Sequence, residues 1–368
     1  MMNTEQRALC LAARTSIAAA DAQALLDLLR GPIDWELLWE QGHLHEVLPL
    51  LATTIRRLAT QIAVPGPWLA RAQRRLYATA VRNAGLADAL VDVLQAFRGL
   101  GVEAIPVKGV VLAETLYGGL ALRSLGDLDV LVRPQDLPAA RRALAALGYA
   151  QEHEPGYENA HHPFHDPPYF RDSPGGQICL ELHWGLWASR FFRVGAEPLW
   201  RRSVAARLHG ADARLLSIED TLLHLAIHRS RSALRLRFVC DIAELLGRHH
   251  AALDWEYVVA QAGAAGARTT LYFALALAHE LLDAPLPDAI LPRLHVGRLK
   301  CRLLEHTCGA TALFRPAAPG DLSQQPSLLL RVLEQDGLGQ IALSIGASFA
   351  RKGRKQLYNH GLLRKPAE

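Results

Sequence analysis

Two aspartates, Asp127 and Asp129, stand two residues apart in the run Arg123-Ser-Leu-Gly-Asp127-Leu-Asp129-Val-Leu-Val132, where polar chain gives way to an apolar, β-branched segment. In a strand, positions i and i+2 point to the same side, so both carboxylates aim at one spot. Like charges that close repel unless a cation lies between them. An all-oxygen donor pair suits a hard ion such as Mg²⁺. Many strands also begin with a solvated Asp, so the surroundings must decide.

Those surroundings hold further chemistry. Val107-Lys108-Gly109 marks a strand-to-helix junction. Glycine lets backbone approach a ligand closely, the first helical amides lack internal partners, and Lys108 adds a point charge. This describes an anion site, or equally an ordinary turn with a surface lysine. Downstream, Ile178-Cys-Leu-Glu181-Leu-His183-Trp184 alternates, with Glu181 and His183 on one face. If this strand lies beside the aspartate strand, Glu181 completes a three-carboxylate cage; otherwise the face is merely exposed. Histidines cluster at His153, His161, His162 and His165, without the ligand spacing of a zinc site. A substrate-facing loop over the carboxylates and a plain polar loop both fit. His224 and His228 share a helix face, as a metal pair or as buried, hydrogen-bonded histidines. Asp241 reads as a helix cap or as a partner for one of these histidines.

The elements that position these residues fall into three stretches. Residues 1–100 read as helices: an apolar periodicity through Leu25–Leu29, a helix capped by Asp34, another over 45–58 and a long one over 67–97. Residues 101–190 alternate: strand 102–107, helix 110–117, strand 128–132, helix 137–147, a loop or irregular hairpin over 151–176, and strand 177–184. That order predicts a small α/β unit with a mixed sheet. Residues 191–368 read as helical again, with segments at 216–229, 238–246, 255–262, 269–282, 327–333 and 340–349, then a basic tail over 351–365.

Composition narrows the function classes. Of 368 residues, 50% are hydrophobic and 21% charged, which favours a sizeable core over disorder. The net charge of +4 comes from scattered arginines, so nucleic-acid binding receives little support. Five cysteines, widely spaced and never in a Cys-x-x-Cys pair, argue against a disulfide framework or a thiolate zinc site. Neither a signal-peptide pattern nor a run of about 20 apolar residues is present, so the expectation is a cytoplasmic protein without a membrane partner.

Lys108-Gly109, Leu112, Tyr117, Arg123, Asp127-Leu-Asp129-Val-Leu-Val132, Gly148-Tyr149 and Glu181-Leu-His183-Trp184 together resemble the uncharacterised nucleotidyltransferase family, within the polymerase-beta-like nucleotidyltransferase superfamily. The segment 222–246, with His224, His228 and Asp241, is similar to the helical part that follows in that family. The resemblance implies an α+β, mostly helical fold: a small mixed-sheet nucleotidyltransferase core over 101–190, flanked by helical regions over 1–100 and 191–368. It implies a two-metal mechanism in which Asp127, Asp129 and Glu181 hold two Mg²⁺ ions. Lys108, Gly109 and Arg123 would hold phosphates, although Arg123 equally fits a structural partner of Asp127. His165 and His183 would face the substrate. An NTP would be the co-substrate, and a small molecule, peptide or protein the acceptor, with ribosomal-peptide tailoring as the implied setting. One position departs from the superfamily: Lys108-Gly109 stands where a Gly-Ser pair is usual, so the serine hydroxyl is lost. That motivates the alternative of a non-catalytic or antitoxin-like partner protein.

Overall fold

The computed structural model describes residues 2–151, 165–186, 192, 195–231, 234–309, 313–314 and 332–337. Five helices come first: α1 (Thr4–Ala12), α2 (Ala19–Arg30), α3 (Trp35–Leu44), α4 (Leu48–Leu58) and the long α5 (Gly66–Gly99). Asp34 starts α3, its carboxylate accepting from the amides of Glu36 and Leu37 at 3.0 and 2.9 Å. Those amides have no partner inside the helix, so the cap fixes where it begins.

The alternating stretch follows: β1 (Ala104–Val107), α6 (Gly109–Thr115), β2 (Leu128–Val132), α7 (Leu137–Ala146), β3 (Ala150–Gln151), β4 (Tyr169–Arg171) and β5 (Ile178–His183). Its strands form one sheet in the order β1-β2-β5-β4-β3. Only the β2–β5 pair is parallel; the other neighbours are antiparallel, so the sheet is mixed. Then come α8 (Ala196–Arg202), β6 (Val204–Leu208), β7 (Ala211–Leu215), α9 (Ile218–Arg231), α10 (Leu236–His249), α11 (Trp255–Ala265), α12 (Arg268–Leu282), α13 (Ile290–Arg293) and α14 (Arg298–Cys308).

The β6–β7 hairpin corrects the expectation of an all-helical region after 190. It turns at His209-Gly210, both at positive φ. Its strands are rich in Ala and Arg, good helix formers, which masks their period-two pattern. At the entry to α9, the Ser217 hydroxyl accepts from the Asp220 amide at 3.1 Å, as its spacing predicted. Of the expected helix over 327–333 only 332–333 are described; 340–349, the basic tail, His153, His161 and His162 lie outside the described residues.

The sheet buries both faces, and the two sets of partners differ. Leu128, Val130, Val132, Leu180 and Leu182 pack with Leu86, Leu90 and Phe97 of α5 and Leu144 of α7. Ile105, Val107 and Leu131 face the other way and join residues from both ends of the chain, including Leu9, Leu51, Leu222, Leu245 and Leu271. The chain ends are also tied by polar contacts. The Thr15 amide and hydroxyl donate to Glu244 at 2.7 and 2.6 Å, and Arg14 reaches Asp283 at 3.0 Å. Cys10, Cys179, Cys240 and Cys301 are free thiols. Among the described residues, no helix is long and apolar enough to cross a membrane.

Candidate active site

Strand register assembles the site. Asp129 of β2 pairs with Val107 on one side and with Glu181 of β5 on the other. Because β2 and β5 run parallel, His183 falls opposite Leu131, on the face that Asp129 and Glu181 share. That face looks toward the helices built from the chain ends, since Leu131 and Val107 belong to their core. The carboxylates therefore sit at a seam between sheet and helices, where sites are commonly found.

Ligand atoms of Asp129, Glu181 and His183 lie within 4.8 Å of one another. His183 Nε2 is 3.0 Å from Asp129 Oδ1 and 3.3 Å from Glu181 Oε2. Lys108 Nζ meets Asp129 Oδ2 at 2.8 Å. Asp127 lies just before β2 and outside that 4.8 Å set, yet its charge is felt throughout. Asp129 is crowding it, and with help from burial this pushes its carboxyl up to about 6. For Asp129 itself burial opposes ionisation, but Lys108 and His183 outweigh it and hold the carboxyl well below the usual range. His183 behaves inversely: burial disfavours its charge, while bonds to Asp129 and Glu181 raise its pKa. The site thus gathers three carboxylates around one ammonium and one histidine whose charged form they favour.

The turn that carries Lys108 is strained. Lys108 has φ 53° and ψ −131°, a region that suits glycine, and Gly109 follows at φ 24°. A Cβ on Gly109 would come within 3.3 Å of the Asp127 carbonyl oxygen, so α6 and the start of β2 approach this closely only with glycine there. Such strain persists where its surroundings over-determine it, and here the Lys108–Asp129 ion pair does so. At seven residues, α6 adds little dipole to this junction.

Arg123 spends its guanidinium on a carboxylate of another helix, while Asp127 lies near enough for its charge to act on it. It is 5% exposed, and its Nε and Nη2 each bond the Asp241 carboxylate of α10 at 2.8 Å. The Tyr117 hydroxyl donates to the same carboxylate at 2.7 Å. Asp241 lies within α10 rather than at its start, so it is neither a helix cap nor a histidine partner. Nothing local to Arg123 foretold a carboxylate 118 residues away. His165 does come near, bridged to His183 in the sheet with ring centroids 5.0 Å apart.

Two more groups neighbour the site, of which only Arg237 escaped the sequence reading. Arg237, in the first turn of α10, lowers the pKa of Asp127 and is itself held by Glu46, 2.6 Å from its Nε. No motif flags it. His228 stacks on His224 with centroids 6.0 Å apart, and burial together with Lys108 keeps it neutral. The i, i+4 spacing was its one visible signal.

Comparison with known proteins gives the site its context. No curated protein matches the chain. A crystal structure of an antigenic nucleotidyltransferase-like protein from Paracoccidioides brasiliensis is similar at 16% identity and a TM-score of 0.36, over 56% of this chain and 96% of that one. The model of the uncharacterised nucleotidyltransferase family matches residues 31–283, which spans β1 through α12 and so every residue of the site, and the chain belongs to that family.

Proposed function

We infer that the protein is a Mg²⁺-dependent nucleotidyltransferase that moves a nucleoside monophosphate from an NTP to a hydroxyl on a small molecule, peptide or protein. Family membership supports nucleotidyl transfer. The observation that carries the rest is the register that sets Asp129 beside Glu181, with Lys108 against them.

The donor chemistry fits a divalent cation. Arg237 is taken up by Glu46, which leaves Lys108 and His183 against three carboxylates, and the raised pKa of Asp127 registers the shortage of positive charge. Carboxylate oxygens suit Mg²⁺, whereas a histidine nitrogen suits softer metals. Asp127, Asp129 and Glu181 would therefore hold two Mg²⁺ ions, and His183 would orient Asp129 and Glu181. Bound Mg²⁺ would neutralise the triphosphate and ready the acceptor hydroxyl. Lys108 exchanges Asp129 for a phosphate oxygen, and Gly109 keeps the backbone close to that phosphate. The acceptor oxygen forms a bond to the α-phosphorus as the bond to the leaving pyrophosphate breaks, and the hydroxyl proton passes to the carboxylate cluster. Peptide tailoring is one setting for such a transfer.

One observation favours a second reading. Lys108 already neutralises Asp129 without any metal, as a non-catalytic descendant or an antitoxin-like partner would require. Calorimetric titration of the four NTPs with Mg²⁺ into the wild type, Asp129→Asn and Glu181→Gln separates the two. The catalytic reading expects Mg²⁺-dependent binding that weakens about tenfold or more in each variant. Absence of heat with every nucleotide selects the non-catalytic reading.

A further inference from the structure

Behind Lys108 lies a cavity of about 360 Å³ that the nucleotide chemistry does not use. Its walls come from α6 (Val111, Leu112), the end of β7 (Leu215), α9 (Ile218, Leu225) and α10 (Leu245). Lys108 and His224 also line it. Lys108 is the same residue that touches Asp129 at 2.8 Å, and the His224 ring stacks on His228, which feels the charges of both Lys108 and Asp129. The polar end of the cavity is thus the back wall of the carboxylate site.

We propose that this cavity binds the aliphatic part of the acceptor, a linear or branched alkyl alcohol whose hydroxyl emerges between Lys108 and Asp129. The proposal rests on the nucleotidyltransferase reading and names its substrate class. The volume falls in the small-molecule range of roughly 300–1,000 Å³. Among the described residues that line it there is no Phe, Tyr, Trp, Asn, Gln, Asp or Glu. Its polar side chains are Lys108, Thr115, Thr221, His224 and His249, and the others are aliphatic, so a planar, polar-edged nucleobase is a poorer match than a chain. An alkyl group gains from burial against the leucines and valines.

Decanol, titrated into the full-length protein without nucleotide or metal and followed by saturation-transfer NMR and calorimetry, tests this. The wild type should bind it at one saturable site. Val111→Trp and Leu215→Trp each place an indole in the cavity from a partly buried position, and should weaken decanol at least tenfold while Mg²⁺–ATP binding is unchanged. Melting curves confirm that each variant is folded. The proposal is overturned if the wild type ignores decanol, if both folded variants bind it as the wild type does, or if adenosine displaces it. Decanol binding by a wild type that ignores Mg²⁺–ATP would support the aliphatic ligand while overturning the transferase reading alone.

Discussion

Two of the buried carboxylate clusters, around Asp241 and around Asp129, are built on opposite accounts of charge. Around Asp241, one carboxylate meets one guanidinium in a two-point bond and one tyrosine hydroxyl, all from within the protein. Around Asp129, three carboxylates share Lys108 and His183, with Asp127 pushed up to about 6 by the crowding. The first cluster is satisfied as it stands. The second has lone pairs and negative charge to spare, and it alone lies on a strained turn. A balanced buried ion pair specifies how elements meet; an unbalanced one waits for a ligand.

Substitutions can break that contrast. Asp129→Asn should lower nucleotidyl transfer by about 10³-fold or more, several kcal/mol of transition-state stabilisation, in a protein that still folds but loses some stability as Lys108 and His183 lose a buried charged partner. Pyrophosphate release and a urea melt on the same sample check both halves. Asp241→Ala should do the reverse in kind, costing about 3–5 kcal/mol of stability because Arg123 and Tyr117 are left buried without their acceptor. If Arg123→Met, Tyr117→Phe and Asp241→Leu together recover most of that loss, the cluster is structural; if activity stays absent in the refolded triple variant, it is not.

Acid sharpens the picture of the Asp129 site, because Asp127 there and the buried His45 elsewhere respond with opposite signs. His45 is 2% exposed, its Nδ1 accepts from the Leu236 amide at 3.3 Å, and burial with Arg235 nearby lowers its pKa to about 4. The unfolded chain, with a histidine near 6.5, binds that proton first, so stability falls as pH drops from about 6.5 to about 4, by up to about 3 kcal/mol. Asp127 acts the other way. Its folded value near 6 lies above the unfolded 3.8, so protonation between those values stabilises the fold. Denaturant midpoints measured against pH in the presence of a chelator should therefore show a shallower acid loss in His45→Gln and a steeper one in Asp127→Asn. At neutral pH Asp127→Asn relieves that repulsion and should stabilise the metal-free protein, by up to about 3 kcal/mol on the same conversion. A loss of stability there would mean that the cluster is balanced after all.

Much of this was legible along the chain. The strand 128–132, helix 137–147 and the strand carrying Glu181 and His183 follow directly from apolar patterning bounded by Gly and Pro, and Asp34 and Ser217 announce their helices by cap chemistry. Side-chain parity placed Glu181 with His183, whereas Asp127 falls just before β2 and outside the set formed by Asp129, Glu181 and His183. Their meeting required one further fact, the parallel β2–β5 pairing, which no local pattern encodes. The Asp241 partner of Arg123 was hidden for the same reason: it sits on a helix far along the chain, and a buried ion pair leaves no periodic trace. The β6–β7 hairpin hid behind alanine and arginine, and Arg237 enters the site only because α10 packs over the sheet.

The bonds from Thr15 to Glu244 and from Arg14 to Asp283 have a consequence for biosynthesis. Those partners lie 229 and 269 residues apart. At about 5–20 residues per second on the ribosome, the leading helices wait roughly ten to fifty seconds for their counterparts to emerge. The strand bearing Asp129 is made in that interval, before the later helices that cover its face have been synthesised.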